Sequence, residues 1–387
     1  MKVLQLANYN GPYEGNFIPS LIALERRLQE RGWRQILAFP EGAKEFNWFQ
    51  RVQRENKCIY IIPKRKSIFS QIKAVDQIVN HEGIKIIHTH FTNYDVVAWL
   101  SKLHDKINNN NNIEVLWHIH SPARVKKTFM RQLRDLVKYK IIGRSVHAIV
   151  VSSGGFISMR ERGLLERQAF VVPNGIDLGR LTKCTKTRQE MRNSFHVTAE
   201  EVLCLQYAWE PYIKGVDITL SAMEYLMRYG LQVKLCLVGQ DVLFHFVRKR
   251  FKDRIPDWVR IIEPENEVTN YLKAADIFVS ASRTEGFSYA VAEAMAIGLP
   301  VICSDIRGLE WAREAPGVVF FPSEDSAGLA QGIIKIMKWA PEKLAARTAA
   351  GQSLIIERYG VETWAEQVAD LYEQIVENKG RRTDAPY

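Results

Sequence analysis

Asp276–Pro300, DIFVSASRTEGFSYAVAEAMAIGLP, reads as a strand, a loop and a helix in direct succession. Asp276 to Ser280 is a short apolar run of the buried-strand kind, and Ser288 to Ile297 is alanine-rich with helical periodicity. Gly298 and Pro300 end that helix, since glycine accepts the left-handed turn and proline cannot continue the hydrogen-bond ladder. This is one βα unit.

The unit recurs along the chain. Strand-like runs at Val3–Ala7, Ile36–Phe39, Ile59–Ile62, Ile84–Thr89, Val115–His120 and Ile149–Val151 alternate with helical patterns, and a second set follows at Val202–Gln206, Val233–Val238, Val259–Ile262, Ile277–Ser280, Val301–Cys303 and Val318–Phe321. Such alternation predicts parallel, doubly wound sheets. The fold class is therefore α/β, with two Rossmann-like domains facing a cleft in which a ligand is expected, near the carboxyl ends of strands. Residues 1–175 are assigned to the first domain and 176–355 to the second, with the polar stretch Thr182–Glu200 read as the inter-domain region. In residues 356–378, Trp364, Val368, Leu371, Tyr372 and Ile375 make an apolar stripe beyond a break at Tyr359-Gly360, so this helix is expected to cross back to the first domain. Asn108–Asn112 reads as a polar loop and residues 379–387 as a flexible tail.

Composition excludes several classes. With 387 residues, 47% hydrophobic and 25% charged, the chain matches a globular protein with substantial cores and not a disordered one. Its start, MKVLQLANYNGPYEG, reads as a strand and not as a secretory leader, and no apolar run reaches the roughly 18 residues of a membrane span. Five scattered cysteines without CxxC spacing suit reduced thiols packed in cores, hence a cytoplasmic location. The net charge of +10 calls for an anionic partner. Part of it is concentrated between Arg124 and Arg144, where eight basic residues interleave with Phe129, Met130, Leu133, Leu136 and Val137 and face one acid, Asp135. This predicts a basic amphipathic helix, suited to an anionic membrane face or a charged acceptor, although a solvated helix face fits the same pattern. Nothing resembles a nucleic-acid-binding motif, so no nucleic-acid partner is expected.

Two glutamates mark the chemistry. Glu285 lies on the loop after the strand, and Glu293 lies on the following helix among Val291, Ala292, Ala294, Met295 and Ala296. A carboxylate in apolar surroundings needs a hydrogen-bonding partner, and a polar ligand is one such partner. The amides near Phe287, Ser288 and Tyr289 start the helix without intrahelical acceptors, which suits phosphate, and Gly286 lets a ligand approach the backbone. An ordinary capped helix with an exposed glutamate at either end fits the same spacing. A nicotinamide site is excluded because Asn8–Gly15, NYNGPYEG, lacks GxGxxG. There is no GxxxxGK[ST] and no Asp-x-Asp, so a bound diphosphate would be held by fixed positive groups instead of by metal-binding carboxylates. His88, His90, His118 and His120 form two HxH pairs, each on its own strand without acidic or cysteine partners at ligand spacing, so no metal site is predicted.

Taken together, Glu-x7-Glu within Ser282–Asp305, VVPNGID at Val171–Asp177, Lys214-Gly215-Val216-Asp217, Gly308-Leu309-Glu310 and the segment Glu357–Ile375 resemble the retaining, nucleotide-sugar-dependent glycosyltransferases of family 4, of GT-B architecture. The resemblance covers nearly the whole chain. It implies that Glu293 holds the donor ribose, that Glu285 binds hydroxyls of the transferred sugar, that Lys214 meets the departing diphosphate, and that His120 sits beside the sugar. Gly15, with Asn16, corresponds to the glycine loop after the first strand, although the usual tandem glycine is reduced to Gly11 and Gly15. The family's Gly-Arg before Lys-Gly is replaced by Tyr207-Ala208-Trp209-Glu210, which leaves the phosphate-binding arginine missing; Arg283 is one substitute, and Trp209 could stack on a sugar.

The resulting expectation is a metal-independent, retaining transferase without a cofactor. It would move a sugar from a nucleoside diphosphate, with UDP as the expected nucleotide, to a saccharide or lipid-linked acceptor in cell-envelope polysaccharide or glycoconjugate synthesis, peripherally on the inner membrane face. A nucleotide-sugar epimerase or phosphorylase on the same scaffold and a non-catalytic polyanion-binding protein are the alternatives.

Overall fold

A computed structural model of the chain describes every residue except 57, 64–66, 109–111, 122–128, 266 and 384–387. Residues 109–111 of the asparagine-rich loop, Arg124, Lys126 and Lys127 of the basic segment and the end of the tail thus lie outside the described residues. The chain divides into two units, Met1–Gly175 with Val361–Tyr387, and Ile176–Gly360.

The first unit is built on a seven-stranded sheet. Its strands are β1 (Lys2–Ala7), β2 (Arg34–Pro40), β3 (Ile59–Ile62), β4 (Ile86–His90), β5 (Glu114–Ile119), β6 (His147–Val150) and β7 (Ala169–Val171), in the order β3-β2-β1-β4-β5-β6-β7. Every pairing is parallel. The second unit has six strands, β8 (Val202–Tyr207), β9 (Val233–Val238), β10 (Val259–Ile262), β11 (Ile277–Ser280), β12 (Val301–Asp305) and β13 (Val318–Pro322), in the order β10-β9-β8-β11-β12-β13, again all parallel. Strands covered on both faces bury both sets of side chains, which is why β9 and β11 read as largely apolar runs instead of alternating. In both sheets the order reverses next to the first strand of the unit, between β1 and β4 and between β8 and β11. Helices on the two sides of such a reversal leave on opposite faces and open a crevice at the carboxyl ends.

The stripe on the last helix, Val361–Thr383, is buried against the first unit. Trp364, Val368, Leu371, Tyr372 and Ile375 are each at most 4% exposed and pack with Val3, Leu24, Leu28 and Trp33. The helix continues through residues 379–383, expected to be tail. The second unit extends past 355 to Gly360 because the helix Pro341–Arg358 is uninterrupted, and Gln352 Nε2 in it donates to Ala296 O at 2.7 Å.

Two expectations need correction. Thr182–Glu200 is not a linker: it lies inside the second unit and contains the helix Arg188–Ser194, started by a Thr187/Glu190 capping box. Arg192, only 4% exposed, ties this stretch down by donating to Asp276 Oδ2 at 2.9 Å and to the carbonyls of Thr198 and Glu201 at 2.6 Å. The basic segment is not one amphipathic helix either. The helix Phe129–Asp135 widens into a π-helical turn, Leu136–Ile141, followed by a 3₁₀ turn, Ile142–Ser145. Lys138 turns inward to Asp95, 2.5 Å from a carboxylate 1% exposed, and Asp135 is taken by Arg162. Met130, Leu133, Leu136, Val137 and Ile141 face outward, with Arg134, Lys140 and Arg144 exposed among them.

Truncating a large buried aromatic costs about 3 to 5 kcal/mol. Trp364→Ala should therefore lower the urea midpoint by an equivalent amount, whereas a loss under about 1 kcal/mol would show that the last helix contributes little to the first unit.

Candidate active site

The second unit places its carboxylates at its own switch point. The turn after β11 carries Ser282, Arg283 and Glu285, and the turn after β8 carries Trp209 and Lys214. Lys214 Nζ donates to Glu285 Oε1 at 2.6 Å, and Ser282 Oγ donates to the same oxygen at 2.7 Å. The backbone there is held by close approaches that only glycine allows. Gly215 has φ +63°, and a Cβ on it would meet the Ala281 carbonyl oxygen at 1.9 Å; a Cβ on Gly308 would meet that of Glu285 at 2.0 Å. Ser304 Oγ further donates to the Ser282 carbonyl at 2.5 Å.

The helix that follows Glu285 spans Tyr289–Ala296, with Ser288 as its N-cap, accepting from the Val291 amide at 3.5 Å. Gly286, Phe287 and Ser288 are buried, and Tyr289 is half-buried. The Phe287 ring is spent on packing, stacked on Trp311 at 4.7 Å between centroids. Glu293 is 3% exposed, so neither an exposed glutamate nor an uncompensated charge describes it. Its partner is Arg180, whose Nη1 donates to Oε1 at 2.6 Å. Arg180 comes from the 3₁₀ turn Leu178–Thr182, just past the VPNGID segment.

Arg283 is not available as the missing phosphate ligand. Nη1 and Nη2 grip Asp217 at 2.9 and 2.8 Å, Nε and Nη2 grip Glu324 at 2.7 and 2.8 Å, and Nη1 also donates to the Tyr212 carbonyl. All five donors of the guanidinium are thereby used, and it lies over the Tyr212 ring at 4.1 Å. Its role is to lock the loop to the start of the helix Val216–Arg228. At the position where an arginine was expected, the phenol of Tyr207 is buried without a hydrogen-bond partner. Burial, with the charge of Glu293 adding to it, pushes that phenol well above its ordinary value. Trp209 is 42% exposed on the same turn.

The first unit gathers its histidines at the other switch point. β4 and β5 pair with His90 opposite His118, so the two HxH motifs form one cluster instead of staying apart. His88, His90 and His118 are at most 1% exposed and bring ligand-capable nitrogens within 4.8 Å of one another. The rings of His88 and His118 lie parallel, 4° apart at 5.2 Å between centroids. The polar contacts run along a chain: His88 Nδ1 to Tyr372 OH at 2.6 Å, Gln5 Nε2 to the same hydroxyl at 2.8 Å, His90 Nε2 to Gln5 Oε1 at 2.9 Å, and His90 Nδ1 to His120 Nε2 at 3.2 Å. His120, half-buried just beyond β5, stacks on Phe91 at 4.6 Å and on His118 at 4.1 Å. Phe91 and Thr92 hold φ of 64° and 49°, strain of the sort that accumulates at functional turns. Gly15, φ +57°, and the buried Asn16 lead into the helix Phe17–Glu30, and the Phe17 ring meets His90 and His120 edge-on at 5.0 and 6.0 Å.

Residues 20–180 match the family model described as Glycosyltransferase Family 4, and residues 200–338 match the one described as Glycosyl transferases group 1. The chain carries two glycosyltransferase domains. A D-inositol 3-phosphate glycosyltransferase of Segniliparus rotundus is 24% identical over 291 residues, 70% of this chain and 60% of that protein. The lipopolysaccharide core biosynthesis mannosyltransferase LpsB of Rhizobium meliloti is 24% identical over 264 residues, covering 65% of this chain and 73% of its own length. Among solved structures, Anabaena Alr3699/HepE in complex with UDP superposes with a TM-score of 0.79 at 16% identity, over 97% of this chain and all of that one. A glycosyltransferase from Rickettsia africae reaches the same TM-score at 17% identity. These structures share the glycosyltransferase domains' GT-B architecture of two Rossmann-like halves.

Burial, reinforced by neighbouring ring charges, holds His88, His90 and His118 well below the ordinary 6.5, and burial brings His120 down to about 3, against a hydrogen bond to Asn174 that acts upward. The unfolded chain therefore binds more protons than the folded one below pH 6.5. The stability these neutral rings contribute is fully present above about pH 6.5 and should fall as pH drops, by up to about 1.4 kcal/mol per pH unit for each ring. Urea midpoints between pH 7.5 and 5.5 should show the decline, and His118→Gln, which removes one of the four rings, should make it shallower; a flat wild-type profile would contradict the neutral cluster.

Proposed function

We propose that this protein is a retaining glycosyltransferase that moves a sugar from a nucleoside diphosphate, UDP by preference, to a hydroxyl of a saccharide or lipid-linked acceptor. The observation that carries the reading is the pair Glu285, half-buried after β11, and Glu293, buried on the helix that follows, each held by a cation from its own unit. A carboxylate accepts at about four lone-pair sites, so one contact from Arg180 or Lys214 orients it without exhausting it. Glu293 is assigned to the ribose hydroxyls and Glu285 to hydroxyls of the transferred sugar. Lys214 and the amides of Phe287, Ser288 and Tyr289 would take up charge on the leaving diphosphate, where Arg180 is a second cation within the domain. Trp209 offers an exposed stacking surface, and Gly286 and Gly15, without side chains, would allow a close backbone approach. On this reading the attack is front-face, through an oxocarbenium-like state with the leaving phosphate as base, and His120 shares the developing charge. LpsB acts in lipopolysaccharide core biosynthesis, and the HepE structure holds UDP, which favours a UDP-sugar and a cell-envelope product here.

Fixed cations in place of paired aspartates favour a metal-independent reaction. No helix among the described residues is long and apolar enough to cross a membrane. The exposed Met130, Leu133 and Ile141, beside Arg134 and Lys140, favour peripheral docking on an anionic surface.

Glu285→Gln and Glu293→Gln should each cut transfer by about a hundredfold or more while far-UV circular dichroism is retained, and near-normal turnover in both would remove the assignment. Transfer should persist in EDTA; a loss restored by Mn²⁺ would refute metal independence. Replacing Met130, Leu133 and Ile141 by serine should release the protein from phosphatidylglycerol vesicles, and unchanged binding would leave the patch without that role.

A further inference from the structure

The contacts among the buried histidines run in one direction. Gln5, His88, His90 and Tyr372 are all 0% exposed, so no bulk water substitutes for a missing partner. Gln5 has one donor end and one acceptor end, and the structure aims Nε2 at Tyr372 and Oε1 at His90. An acceptor facing His90 Nε2 requires the proton of that ring on Nε2. His90 Nδ1 is then a lone pair, and His120 must donate to it from Nε2. At the other end, Tyr372 accepts from Gln5 and donates to His88 Nδ1.

We propose that Gln5, oriented by Tyr372 on the last helix, fixes through His90 which nitrogen of His120 carries its proton. Nε2 of His120 carries the hydrogen, and Nδ1 is left as an acceptor for a ligand hydroxyl. Gln5, His90 and Tyr372 are positioning residues, and their effect on transfer rests on the reading of His120 as a site residue. The same five groups could be satisfied in the reverse order only if the Gln5 amide were turned over, with every ring proton moved to Nδ1. In Tyr372→Phe, either amide orientation leaves one polar atom of Gln5 unmatched. The two orders then become comparable, and His120 should populate both tautomers.

The test is ¹⁵N-histidine NMR of the full-length protein at pH 7.5, with the His120 ring assigned by its loss in His120→Gln. The wild type should show the Nε2–H tautomer for His88, His90 and His120, and Tyr372→Phe should move His120 toward a mixture. An Nδ1–H tautomer in the wild type, or a His120 signal unmoved in Tyr372→Phe, would overturn the coupling. With UDP-glucose as probe, water as acceptor of the glucosyl group and UDP release as readout, Tyr372→Phe should lower kcat about tenfold with KM changed less than about twofold, corresponding to a loss confined to the transition state. A shifted tautomer with unchanged kcat would leave the coupling standing and remove His120 from the proposed site.

Discussion

The reversal of strand order beside β1 and beside β8 is the constraint on which the rest depends. In a parallel sheet every carboxyl end points the same way, and a crevice opens only where successive crossovers leave on opposite faces. The chain uses that place in each unit. In one it sets Gly15, His90 and His120 at the ends of β1, β4 and β5, and in the other it sets Lys214 and Glu285 at the ends of β8 and β11.

Putting charge into such crevices has a cost, and the two units meet it differently. The second unit buries the carboxylate of Glu293 and half-buries that of Glu285, and gives each a cation, Arg180 and Lys214, because an unpaired buried charge would be strongly destabilising. The first unit buries imidazoles instead and keeps them neutral, linked through Gln5 and Tyr372. Arg283 shows how fully the supporting shell is committed: a guanidinium at the mouth of the second crevice spends all its donors on fixing the loop that carries Glu285.

Much of the fold was legible because buried parallel strands leave continuous apolar runs. β9, β10 and β11 fall on the runs Val233–Val238, Val259–Ile262 and Ile277–Ser280, and the stripe from Trp364 to Ile375 marks the buried face of the last helix. Thr182–Glu200 shows no apolar periodicity because its anchoring is polar: Arg192 replaces an apolar face with hydrogen bonds, and periodicity does not register them. Of the site, Glu285, Glu293 and Lys214 were visible as charged residues at strand and helix ends, but their partners were not. Arg180 follows a recognisable segment by three positions and meets Glu293 across 113 residues. Gln5 and Tyr372 carried a weak signal, a polar residue within the apolar run Val3–Ala7 and a hydroxyl within an apolar stripe. The strained turn at Phe91 and Thr92 carried none, since neither residue favours positive φ.

The central claim is that the second unit recognises a nucleoside diphosphate sugar. Thermal shift with UDP-, GDP- and ADP-glucose tests it most directly, because a ligand at a hundred times its Kd stabilises the folded state by about 2.7 kcal/mol, a shift of several degrees. UDP-glucose should raise Tm most, and the shift should vanish in Glu293→Gln. No shift with any of the three, or equal shifts in the wild type and Glu293→Gln, would contradict it.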